Sequence, residues 1–254
     1  MTVSCKGRIG WAGIAVLVLF AAGCTRRVEQ EAEKQFKAAL PEYVGPAERY
    51  DVRVRSDSAG AVMRGRLRQV RVDGRKVQVE PTLTLDRLTL DFEEVSLDTR
   101  ARRLQSIGRA TFECRIHAPV LQEYVRRQHP EIPDLGIALR ADSLFITARP
   151  DALGLVEKPF QLDLPGKLPV TITVEGKLTP SGPTQLNFSP EKAGVSIVPI
   201  PRFALEFLAK RLNPVVNLST MKVPIQADRA FVRGEYLHFT GTIRPEDLLR
   251  LPSR

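Results

Sequence analysis

Few side chains in this chain have the types and spacing that catalysis or metal binding needs. The three histidines are His117, His129 and His238, and none forms a metal-binding pair such as His-x-x-x-His with another. No Gly-x-Ser-x-Gly turn occurs to present a nucleophile, and no glycine-rich loop occurs to hold a phosphate. The sequence therefore predicts no catalytic residue, no metal site and no cofactor. An enzyme whose site is assembled from distant residues remains an alternative.

Cys24 is placed like the attachment point of a bacterial lipoprotein. The chain starts with the basic residues Lys6 and Arg8 and continues with an uninterrupted apolar run, Trp11 to Ala22, a pattern typical of an export signal. Even counted from Ile9 to Gly23, a helix here would span roughly 22 Å, less than the ~30 Å of bilayer hydrocarbon, so a membrane span is the weaker interpretation. The ending "AAGC" resembles a lipobox, although Ala21 stands where leucine is commonest.

We therefore predict that residues 1–23 are a signal peptide and that Cys24 is acylated. The protein would be exported and anchored by lipid to the extracytoplasmic face of a bacterial membrane, in the periplasm or at the cell surface. A cleaved signal without lipid and an uncleaved anchor remain alternatives. Of the other cysteines, Cys5 lies in the signal and Cys114 shares a strand face with Phe112, so Cys114 is expected to be a buried hydrophobe.

The charge balance favours acidic partners. The net charge is +9, and it is +7 without residues 1–23, which hold two bases and no acid. A basic surface outside the cytoplasm meets anionic lipid headgroups, so no nucleic-acid partner is predicted. Arg64, Arg66 and Arg68 alternate along a predicted strand, and we predict that they contact headgroups or the membrane surface. A solvated strand face without a ligand is the alternative.

Hydrophobic periodicity divides the mature chain into helices and strands. An apolar residue recurs every four positions at Val28, Ala32, Phe36 and Leu40, which predicts an amphipathic helix that ends at Pro41. From "YDVRVR" to "ATFECRI" the pattern changes to period two, which predicts antiparallel strands, among them "AVMRGRLRQVRV".

Two local signals refine the prediction of the strands. Asp73–Gly74 predicts a tight hairpin. The apolar positions change phase between Leu85 and Leu88, so we expect a bulge or bend near Asp86–Arg87. A strongly curved sheet needs such a device.

Long alternating strands together with amphipathic helices predict an α+β fold with a mostly antiparallel β-sheet. A curved sheet wrapped on a helix would enclose an aliphatic groove for acyl chains, because each methylene transferred out of water contributes about 0.8 kcal/mol. The alternative is that the same side chains fill one another's space as a dry core.

Two further helices carry large side chains, "APVLQEYVRRQHP" and "PRFALEFLAKRL". We predict that their large residues contact lipid, with core packing as the alternative for each. The predicted contacts are Leu121, Tyr124, Phe203, Phe207 and Leu208. Each helix is followed by similar strand-like residues, so residues 118–148 and 201–233 form a possible weak helix-plus-hairpin repeat, with chance similarity as the alternative.

The C-terminal run resembles the end of the LmeA-like family of exported bacterial phospholipid-binding proteins. In that family a helix leads into Leu/Ile-Asn-Pro, a Leu-Pro-like strand and a final strand around glycine. The corresponding residues here are Leu212–Asn213–Pro214, Val223–Pro224–Ile225 and Gly234 to Gly241. The resemblance covers nearly all of residues 28–243, and it implies the TULIP-like, tubular lipid-binding architecture, in which a highly curved sheet wraps a long helix.

The pattern and the resemblance together predict a single lipid-binding domain over residues 24–254. We expect it to bind phospholipid or a related lipid in an apolar groove, as an accessory to cell-envelope assembly or lipid transport, while acylated Cys24 holds it at the membrane. A structural envelope lipoprotein with a fully packed core is the first alternative, and a lipid hydrolase is the second. The sequence indicates no particular protein partner.

Overall fold

The fold is given by a computed structural model, which describes residues 25–98, 103–132, 134–140, 142–149, 171–195, 198–199 and 202–249. The predicted signal peptide, residues 1–23, and Cys24 lie outside the described residues. The helices of the described part are α1 (Thr25–Tyr43), α2 (Ala59–Met63), α3 (Ala118–Gln128), α4 (Arg202–Leu212) and α5 (Pro245–Leu249). None of these helices is long and apolar enough to cross a membrane.

The strands form two antiparallel sheets. In chain order they are β1 (Ala47–Arg55), β2 (Arg66–Glu80), β3 (Leu83–Asp98), β4 (Arg103–Ser106), β5 (Arg109–His117), β6 (Gly136–Arg140), β7 (Ser143–Ala148), β8 (Ile172–Pro180), β9 (Gln185–Val195), β10 (Val198–Pro199), β11 (Val216–Asn217), β12 (Ile225–Arg233) and β13 (Tyr236–Ile243). The large sheet has the order β1-β2-β3-β5-β13-β12, with β4 paired to β3. The small sheet has the order β10-β9-β8-β7-β6, with β11 paired to β9.

The large sheet is strongly curled into an antiparallel half-barrel, which confirms the predicted α+β class. Its inner face is built from paired apolar residues, since Val52 lies opposite Val72, Val72 opposite Leu90 and Leu90 opposite Phe112, and all four are buried. The residues between them point to the other face of the sheet and are polar or charged, because side chains alternate along a strand. Helix α1 packs along β1, at the edge of this sheet.

The hairpin predicted at Asp73–Gly74 is wrong, because both residues lie inside the continuous strand β2. The turn to β3 lies at residues 81–82 instead. Gly74 is explained by close packing, since an added Cβ would lie 2.8 Å from Cε1 of Tyr50. The glycine therefore makes room for an aromatic ring on the neighbouring strand and does not form a turn.

The ladder between β2 and β3 has no bulge at Asp86, and its register shifts instead between Gln78 and Glu80. Burial changes phase between Leu85 and Leu88 as expected, but the ladder between β2 and β3 keeps its register there, so no extra residue is inserted. Opposite Asp86, Lys76 of β2 has a left-handed backbone with φ of 50°, and its Nζ donates to Oδ1 of Asp86 at 2.8 Å. The buried side chains thus change phase on β2 and on β3 at the same place along the paired strands.

The helices differ from the predictions at three points. Helix α1 continues through Pro41 to Tyr43, although the proline supplies no N–H to the helix. Helix α2 includes residues 61–63, where a strand was predicted, and Oγ of Ser58 caps it by accepting from the N–H of Ala61 at 3.1 Å. Helix α5 was not predicted.

The two segments of the predicted repeat lead into strands with different partners. After α3, β6 and β7 form a hairpin in the small sheet. After α4, β11 joins the small sheet, whereas β12 pairs with β13 in the large sheet.

Candidate functional site

An apolar groove runs between α1 and the inner face of the large sheet. Helix α1 and the residue that follows it form one wall, with the side chains of Phe36, Ala39, Leu40, Tyr43 and Val44. Strands β2 and β3 form the facing wall, with Val70, Val72, Leu90, Phe92, Val95 and Leu97. Both walls are therefore hydrocarbon or aromatic, and water gains little by staying between them.

Apolar residues from other parts of the chain complete the lining of the groove. Leu104 on β4 and Ile107 just after it extend the lining, and Val223 and Leu248 line it from the C-terminal part of the chain. Its empty space is about 680 Å³, counting the part that is open to solvent. The cavity inside it is only about 60 Å³, which is too small for an acyl chain, so the walls must separate before one fits.

Helix α1 is fastened to the sheet by two glutamates. Oε1 of Glu33 accepts from the N–H of Val54 at 3.0 Å. Oε1 of Glu29 accepts from the N–H of Ser56 at 2.9 Å and from its Oγ at 2.7 Å. Because β1 is the edge strand, these carboxylates take the place of a further strand. A helix held by side-chain contacts can leave the sheet without breaking its strand ladder.

The lipid contacts predicted on α3 and α4 do not line this groove. Leu121 and Leu208 are completely buried and Tyr124 is 2% exposed, so all three lie in the core. Phe207 is 37% exposed on α4, and the side chain of Phe203 on the same helix lies outside the described part. Lipid contact by these five residues stays a prediction that the groove does not support.

The polar tip of Tyr124 is held inside the fold. Burial and the negative charge of Glu80 raise the pKa of the Tyr124 phenol, while a hydrogen bond with the backbone of Asn217 acts in the opposite direction. The hydroxyl therefore has protein partners inside the fold.

The three arginines predicted to meet headgroups are all exposed but do not share one strand face. Arg66 and Arg68 lie on β2, whereas Arg64 is the C-cap of α2, so its predicted place on a strand is wrong. Arg68 approaches Asp57 at 4.0 Å and lines a polar depression that also contains Glu93. Their contact with headgroups stays a prediction.

Groups suited to catalysis are scattered among the described residues. His117, His129 and His238 lie 3.5, 3.3 and 3.7 Å from three different glutamates. In the described ranges no cluster of three histidine, cysteine or acidic side chains could hold a metal ion. Burial, reinforced by the charge of Glu113, raises the pKa of Cys114 well above its usual value, and this thiol is completely buried as expected.

The outer face of the large sheet carries paired charges. Burial disfavours ionised Asp86, but its hydrogen bonds with Lys76 and Arg115 outweigh that effect and lower its pKa. In the same way burial opposes ionisation of Asp73, and contacts with Arg87 among others lower its pKa. These ion pairs offset part of the positive charge in the middle of the sheet.

Sequence reasoning detected the groove residues but did not assign them to a site. The stripe with Phe36 and Leu40 predicted only the helix, and the alternation of β2 and β3 predicted only the sheet. The available signal was their combination, because an amphipathic helix next to long alternating strands needs a common apolar surface.

A helix-covered apolar groove in a strongly curled half-barrel is the architecture of a TULIP-like lipid-binding protein. A family model described as LmeA-like phospholipid-binding matches residues 25–242, which is most of the chain. The chain therefore belongs to the LmeA-like phospholipid-binding family, as its sequence suggested. Neither the curated proteins nor the solved structures contain a match.

Proposed function

We propose that this protein binds phospholipid with its acyl chains in the groove between α1 and the large sheet. The observation that carries the proposal is the hydrocarbon lining of both walls of the groove. Ten buried methylenes would supply about 8 kcal/mol at about 0.8 kcal/mol each. That gross gain suffices for micromolar binding only if little is lost in ordering the chain and in moving α1.

Uptake of a lipid requires α1 to move away from β2 and β3. The groove is too narrow for an acyl chain while Phe36 and Leu40 face the sheet. The contacts of Glu33 with β1 and of Glu29 with Ser56, the residue after β1, are polar fastenings that this movement would break. The apolar side of α1 would then pack against the lipid, and the energetic cost of opening is partly recovered.

We further propose that the protein is exported and tethered through acylated Cys24, as an accessory to envelope assembly or lipid transport. The signal-like residues 1–23 and the "AAGC" ending support this location. Because α1 begins at Thr25, the anchor would hold the movable helix at the membrane. Cys24→Ser should release the protein from membranes or leave it unprocessed, and unchanged acyl labelling would contradict the tether.

Native mass spectrometry of the full chain tests the lipid proposal. The wild type should carry phospholipid or take up a labelled one. Ala39→Phe fills the groove and should abolish uptake, whereas Ala38→Phe, on the exposed side of α1, should keep it. Protein that holds no lipid and takes up none would favour a fully packed core. Turnover of a lipid ester that one substitution abolishes would favour a hydrolase.

A further inference from the structure

We infer that the protein docks on bilayers containing anionic phospholipids through one end of the half-barrel, residues 56–66. We call this segment the tip, and it comprises the loop after β1, helix α2 and the start of β2. The inference rests on the proposed lipid binding, since it names the surface through which the groove meets its lipid source.

The tip exposes an apolar side chain. Met63 at the end of α2 is 48% exposed, while the neighbouring Val62 packs against the core and holds the helix in place. A single exposed hydrophobe is ordinary on a protein surface, so Met63 alone indicates no partner. What distinguishes Met63 is the charge around it.

Arginines outnumber acids in the chain around Met63. Residues 53–68 contain one acid, Asp57, and five arginines, Arg53, Arg55, Arg64, Arg66 and Arg68. Arg55 and Arg68 share a polar depression with Glu29, Glu93 and Glu94, so the positive charge beside Met63 is that of Arg64 and Arg66. Neither Arg64 nor Arg66 has an ion-pair partner within the described part of the chain. The Arg64 guanidinium lies against α2, with Nη1 3.4 Å from the position of a Cβ added at Gly60.

Apolar and cationic groups are therefore close enough to bind one surface together. Arg66 follows Met63 by three residues, which is at most about 11 Å of extended chain. An apolar side chain flanked by arginines matches the membrane interface, where the hydrocarbon boundary lies beneath a layer of phosphates. Anionic lipids are the partner with complementary charge.

The tip also adjoins the groove and the start of α1. The carbonyl of Gly65 accepts from the N–H of Leu97 at 2.7 Å, and Leu97 lines the groove. Ser56 binds Glu29, which is about 6 Å along the helix axis from Thr25. Docking through the tip would thus bring one end of the groove, and the residue next to Cys24, to the bilayer.

A fluorescence experiment on the full chain tests the docking surface. Cys5→Ser and Cys24→Ser leave Cys114 as the remaining native thiol, which is completely buried. A dye is attached through Met63→Cys, or through Ser219→Cys as the comparison site, which adjoins Thr220 at the far end of β2. Spin-labelled lipid in phosphatidylcholine vesicles, with or without equimolar phosphatidylglycerol, then quenches dyes that touch the bilayer.

We expect quenching at position 63 in vesicles with phosphatidylglycerol, and its loss at high salt or in phosphatidylcholine alone. Arg64→Gln/Arg66→Gln should weaken docking about 30-fold, since each arginine contributes about fivefold near an anionic surface. Arg75→Gln/Arg140→Gln removes the same charge from exposed positions outside the tip and should leave docking unchanged.

Equal quenching at positions 63 and 219, or quenching that ignores salt and phosphatidylglycerol, would overturn the inference. An equal loss of docking in Arg75→Gln/Arg140→Gln would overturn it too, because docking would then depend only on the net charge of the protein. Lipid uptake in detergent solution separates the two proposals. Lipid uptake without quenching at position 63 would refute docking through the tip, whereas the absence of lipid uptake would refute the proposed function.

Discussion

Helix α1 is expected to act as the movable wall of the groove, and removal of its two glutamate contacts tests this role. In Glu29→Ala/Glu33→Ala the N–H groups of Val54 and Ser56 lose their carboxylate acceptors. Hydrogen bonds to charged groups contribute about 1.5–3 kcal/mol, and these are partly exposed, so we assign about 1 kcal/mol to each. A total of about 2 kcal/mol would make the open state about 30 times more populated.

The assay follows a fluorescent phospholipid that leaves the preloaded full-chain protein for an excess of unlabelled vesicles. If opening limits exchange, the double variant should release lipid about 30-fold faster than the wild type. Glu31→Ala/Glu42→Ala removes the same charge and adds the same alanines to α1, and neither glutamate has a bond to β1, so its rate should match the wild type. Equal release rates in both variants would refute the gating role of α1.

Three further predictions follow from the described contacts. Asn213→Ala should lower the free energy of unfolding in urea by about 1–3 kcal/mol, because the Asn213 side chain bonds both the N–H and the carbonyl of Phe188, and an unchanged value would contradict this. Because the pKa of Asp86 is lower in the folded protein than its ordinary value, ionised Asp86 stabilises the fold at pH values above that ordinary pKa. This stability is lost as the pH falls through the lowered pKa. Asp86→Asn should therefore lose less stability than the wild type between about pH 5 and about pH 3, and parallel losses would exclude the contacts of Asp86 with Lys76 and Arg115 as a cause. Leu121→Ala should cost about 2–5 kcal/mol of stability without loss of lipid uptake, and a stable variant that fails to bind lipid would restore Leu121 as a contact.

The sheet could be predicted from the sequence because a period of two decides which side chains share a face. The change of phase between Leu85 and Leu88 was predicted correctly on that basis, and the resemblance supplied the curvature. The hairpin at Gly74 was wrong because glycine serves both turns and close packing, and only the position of Tyr50 distinguishes them. Helix α2 was missed because five residues are too few to show a helical period.

The site was harder to predict because periodicity identifies apolar side chains but not the space between them. Lipid contact was predicted on α3 and α4 because these helices carry large side chains. Two of those side chains, Leu121 and Leu208, are completely buried in the core. The groove lies instead along α1, where Ala39 leaves room beside Phe36. Whether two apolar surfaces touch or leave a gap depends on the fit between distant elements, which one sequence does not record.

Photo-crosslinking tests most directly whether the lipid occupies the groove along α1. A phospholipid with a photoreactive group in its acyl chain is loaded into the full-chain protein, and the modified peptides are identified by mass spectrometry. The account predicts modification of α1 between Phe36 and Val44 and of β2 and β3 between Val70 and Leu97. Modification confined to α3 and α4, at residues such as Tyr124 and Phe207, would contradict it.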